Sequence, residues 1–255
     1  MWHMLKKPFL LSRRGPATGL VVAVLASLTA CAKPQPGEEF NDPYEKQNRA
    51  IHEVNVTLDQ AVFGGGDVPK KKYLPDPLAK GFSNAAYNLS MPSAVLNNLL
   101  QLNINGAAKD TLRFALNTTF GVGGLMDPAD VIGLYAEDAD FGETLHVWGA
   151  PEGAFVVLPI GGPTTERDLA GSIVDIFIDP LGQVFKGRDF VAVEGVRIAG
   201  QVGNRQEYSD LIDSILYESA DSYAQMRLTY LQYRHNQLGI EEDVSDPYEE
   251  FYAAP

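Results

Sequence analysis

The chain has one cysteine in 255 residues, and that scarcity removes several classes of protein at once. A lone thiol makes no intrachain disulfide and no cysteine-cluster metal site. Histidine is nearly as rare, with four residues. Beyond the N-terminal segment His52, His146 and His235 fall in three separate segments without metal-ligand spacing. No Gly-x-Ser-x-Gly elbow, His-Glu-x-x-His pair or phosphate-binding loop occurs. Arg167-Asp168 is the most suggestive charged pair, but adjacent side chains point different ways and the aspartate reads equally as a helix cap. His146, beside Trp148, reads as a packed or hydrogen-bonded imidazole. No catalytic constellation emerges. Past residue 30 no apolar run approaches the roughly 20 residues of a spanning helix. Basic residues are outnumbered 20 to 33, a net charge of −13, which argues against nucleic acid and anionic headgroups as partners.

What is present begins with a leader. Lys6, Lys7, Arg13 and Arg14 form a positive region, and residues 17–30 an apolar one too short to span a membrane. It ends in Leu28-Thr29-Ala30-Cys31, which resembles the bacterial lipobox, so Cys31 is expected to carry N-acyl diacylglycerol. No other cofactor is expected, and no metal. By resemblance to the enterobacterial sorting rule, in which aspartate after the cysteine signals retention, Ala32 favours delivery to the outer membrane. The sequence divides into a lipoprotein signal peptide over 1–30, a lipidated tether over 31–41, a single helical domain over 42–240 and an acidic flexible tail over 241–255. Cleavage leaves 16 basic against 33 acidic residues. Any bilayer contact beyond the anchor then has to be apolar.

Five Asp-Pro pairs, at 42, 76, 127, 179 and 246, signal helix starts: aspartate caps the free amides and proline at the first position loses no hydrogen bond. With Glu45 three residues on, Asp42 predicts a capped helix to about Phe63, with Ile51, Val54, Leu58 and Val62 on one face and Gly64, Gly65 and Gly66 ending it. Replacing Asp42 by Ala would then cost roughly 1 kcal/mol. Lys70, Lys71 and Lys72 read as a solvated basic loop or as lysines snorkelling at a membrane surface. Helices are expected over 77–89, 92–102 and 106–120, with Pro92 separating the first two and Asn105 capping the third. They return over 189–202, 206–219 and 221–237, the last carrying Tyr223, Met226, Tyr230 and Tyr233 as a core stripe.

Between them the chain is glycine-rich, with twelve of its 24 glycines between 121 and 187. Residues 138–169 hold too much glycine and proline for a regular element, yet carry Trp148 and Phe155-Val156-Val157-Leu158, which should be buried. Such a segment lines a cavity or packs as a compact loop.

Several segments, in order, resemble the MlaA (VacJ) family of outer-membrane lipoproteins. They are Leu28-Thr29-Ala30-Cys31; Asn41-Asp42-Pro43-Tyr44-Glu45 with Asn48-Arg49; Arg113-Phe114 with Asn117-Thr118-Thr119; and Gly121, Gly123-Gly124 and Asp127. Then come Asp140-Phe141-Gly142-Glu143-Thr144-Leu145, Trp148-Gly149, Leu158-Pro159 and Gly162-Pro163. Arg167-Asp168, Gly171, Asp175, Pro180 and Asp221-Ser222-Tyr223 with Arg227, Tyr230 and Arg234 complete the match. Residues 44–47 and the connector with the three lysines are more polar than the family's usual pattern.

The resemblance implies an all-α, ring-shaped assembly of amphipathic helices around a glycine-rich irregular centre, monotopic on the periplasmic side of the outer membrane. It implies a transport protein, not an enzyme, that removes phospholipids misplaced in the outer leaflet and hands them to a periplasmic carrier of the MlaC kind. A trimeric porin of the OmpC/OmpF kind would be its partner. The expected passage lies between Gly121 and Gly171. Phe155 and Val157, with Val156 and Leu158, face acyl chains, while Glu143, Thr144, Thr164, Thr165 and Arg167 face the headgroup. Gly121, Gly123, Gly124, Gly142, Gly149 and Gly161 let backbone approach it, and Leu145, Trp148, Pro159 and Asp168 complete its lining. Competing classes are a structural porin-associated lipoprotein and a periplasmic lipid hydrolase.

Overall fold

The computed structural model describes residues 40–240; the leader, Cys31, most of the tether and the 241–255 tail, with its Asp246-Pro247 pair, lie outside them. The first helix, α1 (Glu45–Phe63), has the expected extent but a different start. Tyr44 holds the cap position and no side chain caps it. Asp42 is buried instead, accepting from Asn48 Nδ2 at 2.9 Å, Arg227 Nη1 at 2.6 Å and the Tyr223 hydroxyl. A guanidinium offers the carboxylate a stronger, charge-assisted bond than a backbone amide does. Gly64 ends the helix at φ +78°, where a Cβ would sit 2.2 Å from the Pro69 carbonyl oxygen.

Residues 76–100 form one helix, α2 (Asp76–Leu100), not two. Pro92 forfeits a hydrogen bond, but Asn88, Met91, Ala94 and Asn97 are buried on both sides of it, and that packing carries the helix through. Its end is a Schellman turn, with Leu102 at φ +61° and the Asn103 amide bonded to the Asn98 carbonyl at 2.8 Å. Asn103, rather than Asn105, caps α3 (Ile104–Thr119), accepting from the Gly106 amide at 3.0 Å. Asp127 caps the short α4 (Pro128–Val131) as its Asp-Pro pair predicts.

The segment expected to be irregular is regular. Asp140 caps α5 (Phe141–Val147), and β1 (Phe155–Leu158) pairs antiparallel with β2 (Gly162–Thr165), Phe155 opposite Thr165 and Leu158 opposite Gly162. The fold is therefore mostly helical with one hairpin, not all-α. Phe155 and Val157 are buried while Val156 and Leu158 are half-buried, the two-residue alternation of a strand. Thr165 caps α6 (Glu166–Ile178), and Asp179 caps α7 (Pro180–Val184). Then come α8 (Gly187–Glu207), α9 (Ser209–Asp213) running into a π turn over Ser214–Glu218, and α10 (Ser222–Gln237).

The long pair, α2 and α8, touches through small residues. A Cβ on Gly200 would lie 2.3 Å from that of Ala86, and one on Gly203 would lie 2.4 Å from the Ala79 carbonyl oxygen. Hydrophobic clusters are small: Phe155, Val157, Tyr223 and Leu231 in one, Phe141, Leu145 and Ala170 in another. Among the described residues 18 polar or charged side chains are buried against 15 apolar ones, eight of them alanine. On α1, Val54, Leu58 and Val62 are exposed and Ile51 is half-buried against the Phe155 cluster, while Asn48 and His52 are buried, an inversion of the usual polarity. α3 repeats the inversion, with Asp110, Arg113 and Asn117 inside and Ile104 and Leu112 outside. No described helix is long and apolar enough to cross a membrane.

Candidate functional site

The hairpin is held by asparagines. Asn48 donates to the Phe155 carbonyl at 3.0 Å and accepts from the Val157 amide at 2.9 Å. Two helical turns on, Asn55 does the same to the Leu158 carbonyl and the Ile160 amide, both at 2.8 Å. Seven helical residues rise about 10.5 Å, close to the roughly 10 Å spanned by three strand residues. Helix and strand therefore meet in register, and α1 stands where a third strand would. The seven-residue spacing of Asn48 and Asn55 was visible in the sequence; the strand they grip was not.

Beyond this clamp, α1, the hairpin turn, the π turn and α10 enclose a groove of about 510 Å³, walled by Val56, Leu58, Val62, Ile160, Ile215 and Met226. Asp59, its one charged wall residue, is neutralised by Arg205 at 2.7 and 2.8 Å and by the Tyr217 hydroxyl at 2.7 Å. Tyr217 in turn packs on Gly65, where a Cβ would be 2.4 Å from the ring. Lys70 bonds Asp210 and Asp213 at 2.7 and 2.9 Å, Lys72 bonds Asp76, and Lys71 donates to the Ala61 carbonyl. The three lysines fasten the connector rather than form a free basic patch.

On the other side of the hairpin lies a buried ionic hub. Arg234 of α10 reaches Asp140 at 2.7 and 2.8 Å and Asp168 at 3.0 and 3.1 Å, and the Tyr230 hydroxyl donates to Asp168 at 2.9 Å. Burial pushes the Asp168 carboxyl up, but the bonds and charge of Arg234, with Arg167, outweigh it and hold the group below its ordinary value. Arg167 is buried with one Nη unpartnered, 4.0 Å from Glu152. Burial, then the charges of Arg167 and Arg234, lower His146 and favour the neutral imidazole. Burial beside Asp140 pushes Glu143 up to about 7. A polar cleft of about 350 Å³ opens nearby, walled by Asn97, Asp138, Asp140, Asp175, Asp179 and Arg197.

The passage residues expected from sequence do not share one surface. Thr144, Leu145, Phe155, Val157, Arg167 and Asp168 are buried in packed contacts, and Gly142 meets Gly171 so closely that a Cβ on the latter would lie 2.3 Å from the Gly142 nitrogen. Gly121 and Gly124 are buried elsewhere, Gly124 against Asn88. Gly123, Gly149, Pro159 and Gly161 are exposed. So is Trp148, at 54%, contrary to expectation; its ring packs edge-on to Phe141 and its Nε1 donates to the Leu100 carbonyl. Of the tyrosine stripe on α10, Tyr223 is core, Tyr230 packs against it, and Tyr233 is exposed. No cluster of described side chains could hold a metal ion.

These features define a largely helical protein that keeps polar side chains inside, shows apolar ones outside and holds an apolar groove beside a buried ionic hub. The pattern that defines the MlaA lipoprotein matches residues 40–237, and the chain belongs to that family. The Haemophilus influenzae protein named intermembrane phospholipid transport system lipoprotein MlaA is 31% identical over 222 residues, 84% of this chain and 86% of its own. The Escherichia coli protein of the same name is 29% identical over 226 residues, 86% of each chain. An uncharacterized Rickettsia bellii protein is 34% identical over 197 residues, 77% of this chain and 76% of its own. A solved structure described as the structural basis for maintenance of bacterial outer membrane lipid asymmetry superposes with a TM-score of 0.60 at 26% identity, over 77% of this chain and 98% of its own.

Proposed function

We propose that this protein is a lipid-anchored, monotopic, ring-shaped component of the outer membrane that removes misplaced phospholipid from the outer leaflet and passes it to a periplasmic carrier of the MlaC kind. Cys31 carries the anchor, and a trimeric porin holds the protein in place. The observation that carries the reading is the apolar groove of about 510 Å³ between α1 and the hairpin turn, with a polar cleft of about 350 Å³ on another face. Acyl chains take the first and the headgroup keeps to polar surface. Pro159 and Gly161, of the sequence-derived passage residues, flank Ile160, which lines the groove. Deleting the gene should raise phospholipid at the cell surface, and complementation should reverse it. Photo-crosslinkers at Val62 and Ile215 should capture phospholipid in cells, whereas one at exposed Asn236 should not. Unchanged surface phospholipid in the deletion strain would sink the transport reading.

One observation favours a second reading, a lipid hydrolase. His52, on the groove wall, lies with Nε2 2.9 Å from the Ser222 hydroxyl, the arrangement of a base and its nucleophile. Burial lowers His52 and favours the neutral form. The nearby Asp221, however, is held by Arg49 and the Ala224 amide rather than by His52, so no carboxylate orients the imidazole. Lyso-lipid released from labelled phospholipid by the protein, and lost in Ser222→Ala, would put this reading in place of the first.

A further inference from the structure

Among the described residues four that are not glycine adopt left-handed backbone: Leu102 at φ +61°, Val122 at +55°, Asp138 at +42° and Ile160 at +65°. Aspartate enters that region readily, but a branched or bulky apolar residue does so only at a cost. Each of the three apolar ones stands where another residue would be cheaper. Leu102 holds the Schellman position that glycine prefers. Val122 sits in Gly121-Val122-Gly123-Gly124, where glycine fills the other three places. Ile160 is the middle of the hairpin turn, in which the Gly161 amide bonds the Pro159 carbonyl two residues back at 2.7 Å, the rare and strained γ-turn when its central φ is positive.

Strain of this kind is tolerated for packing or for what the side chain meets outside. Packing does not account for it, because Leu102 is 83% exposed, Val122 62% and Ile160 88%. Leu102 and Val122 lie at the two ends of α3, a helix about 24 Å long. Between them Ile104, Ala108, Leu112, Ala115 and Thr119 form one exposed stripe, uncharged throughout. The chain's net charge of −13 repels anionic headgroups, so hydrocarbon rather than headgroup is the partner these tips fit.

We propose that Leu102, Val122 and Ile160 are the points at which the protein inserts into the hydrocarbon of a lipid leaflet, with α3 lying along the bilayer surface between the first two. The inference rests on the membrane placement proposed above and adds its contact points. It is tested on the full lipidated chain in phosphatidylcholine vesicles that contain acyl-chain nitroxide lipid. An environment-sensitive fluorophore goes on one introduced thiol at a time: Leu102→Cys, Val122→Cys, Ile160→Cys, or Asn236→Cys as the exposed control. The three tips should give blue-shifted emission that the nitroxide quenches, and the control neither. With Leu102→Asn and Val122→Asn combined, a fluorophore at Leu112→Cys should move to a wetter environment, while the thermal midpoint in mild detergent stays or rises because asparagine tolerates the left-handed turn. Water-like, unquenched emission at the tips overturns the inference, and so does a fall in the midpoint, which would mean the side chains pack within the fold. If tip insertion fails while surface phospholipid still rises on gene deletion, the transport reading stands without it.

Discussion

The hairpin with α10 and the pair α1 and α3 are packed by opposite rules. In the first region Phe155, Val157, Tyr223 and Leu231 close on one another, as they would in any water-soluble domain, where burying an apolar side chain releases water. In the second the buried faces carry Asn48 and His52, or Asp110, Arg113 and Asn117, and the apolar stripes face out. Such an arrangement is unfavourable against water. Against lipid it is not, since an apolar side chain gains little by leaving hydrocarbon and polar bonds become the glue between helices. The close α2–α8 contact through Gly200, Gly203, Ala79 and Ala86 fits the second rule. One chain thus uses both, which fits the membrane placement proposed above.

The contrast can be broken at its joints, most severely at the hub that ties α10 to α5 and α6. Arg234→Ala leaves Asp140 and Asp168 facing each other without their cation and should cost about 3–5 kcal/mol, measured by denaturant unfolding in mild detergent. Phe155→Ala, in the ordinary core, should cost about 3–4 kcal/mol by the same measurement. A value under about 1 kcal/mol would show that this region too draws little from apolar burial. Asp42→Ala should cost about 2–3 kcal/mol, more than the roughly 1 kcal/mol of a lost cap, because it strands Arg227 and the Tyr223 hydroxyl. Glu143 sharpens the comparison through pH. Its folded value of about 7 lies above the ordinary 4.5, so the folded state holds the proton more tightly. Its contribution is whole below about pH 4.5 and is lost as pH rises through 7. Glu143→Gln should therefore gain about 1 kcal/mol at pH 8, a figure reduced for partial exposure, and should show no gain at pH 4. The smallest effect belongs to the outer stripe: Leu112→Asn should change stability in detergent by under about 0.5 kcal/mol.

How much of this was legible depended on how local the deciding contact was. Asp127 and Asp179 cap as their Asp-Pro pairs predict, since their partners are the next few amides. Asp42 fails the same rule because its partners, Tyr223 and Arg227, lie about 180 residues away. Spacing puts Ile51, Val54, Leu58 and Val62 on one face of α1 but leaves open where that face points, for periodicity names a face and not the medium it meets. Glycine and proline hid the hairpin, although Phe155 to Leu158 followed by Pro159-Ile160-Gly161 is a strand and turn. Arg234 and Asp168 could be quoted as members of a resemblance, but not their meeting across 66 residues.

The asparagine clamp has one consequence outside stability. A two-stranded hairpin presents open edges, and an open strand edge is a template for another chain. Asn48 and Asn55 occupy the outer edge of β1, where they bond backbone groups between Phe155 and Ile160. The strand's outward residues are thus free to vary, while neither asparagine can become aspartate, which lacks the donor, or leucine, which lacks both groups. Before α1 docks, that edge is bare. Loss of either asparagine should therefore show itself as self-association of newly made chains rather than as a looser fold.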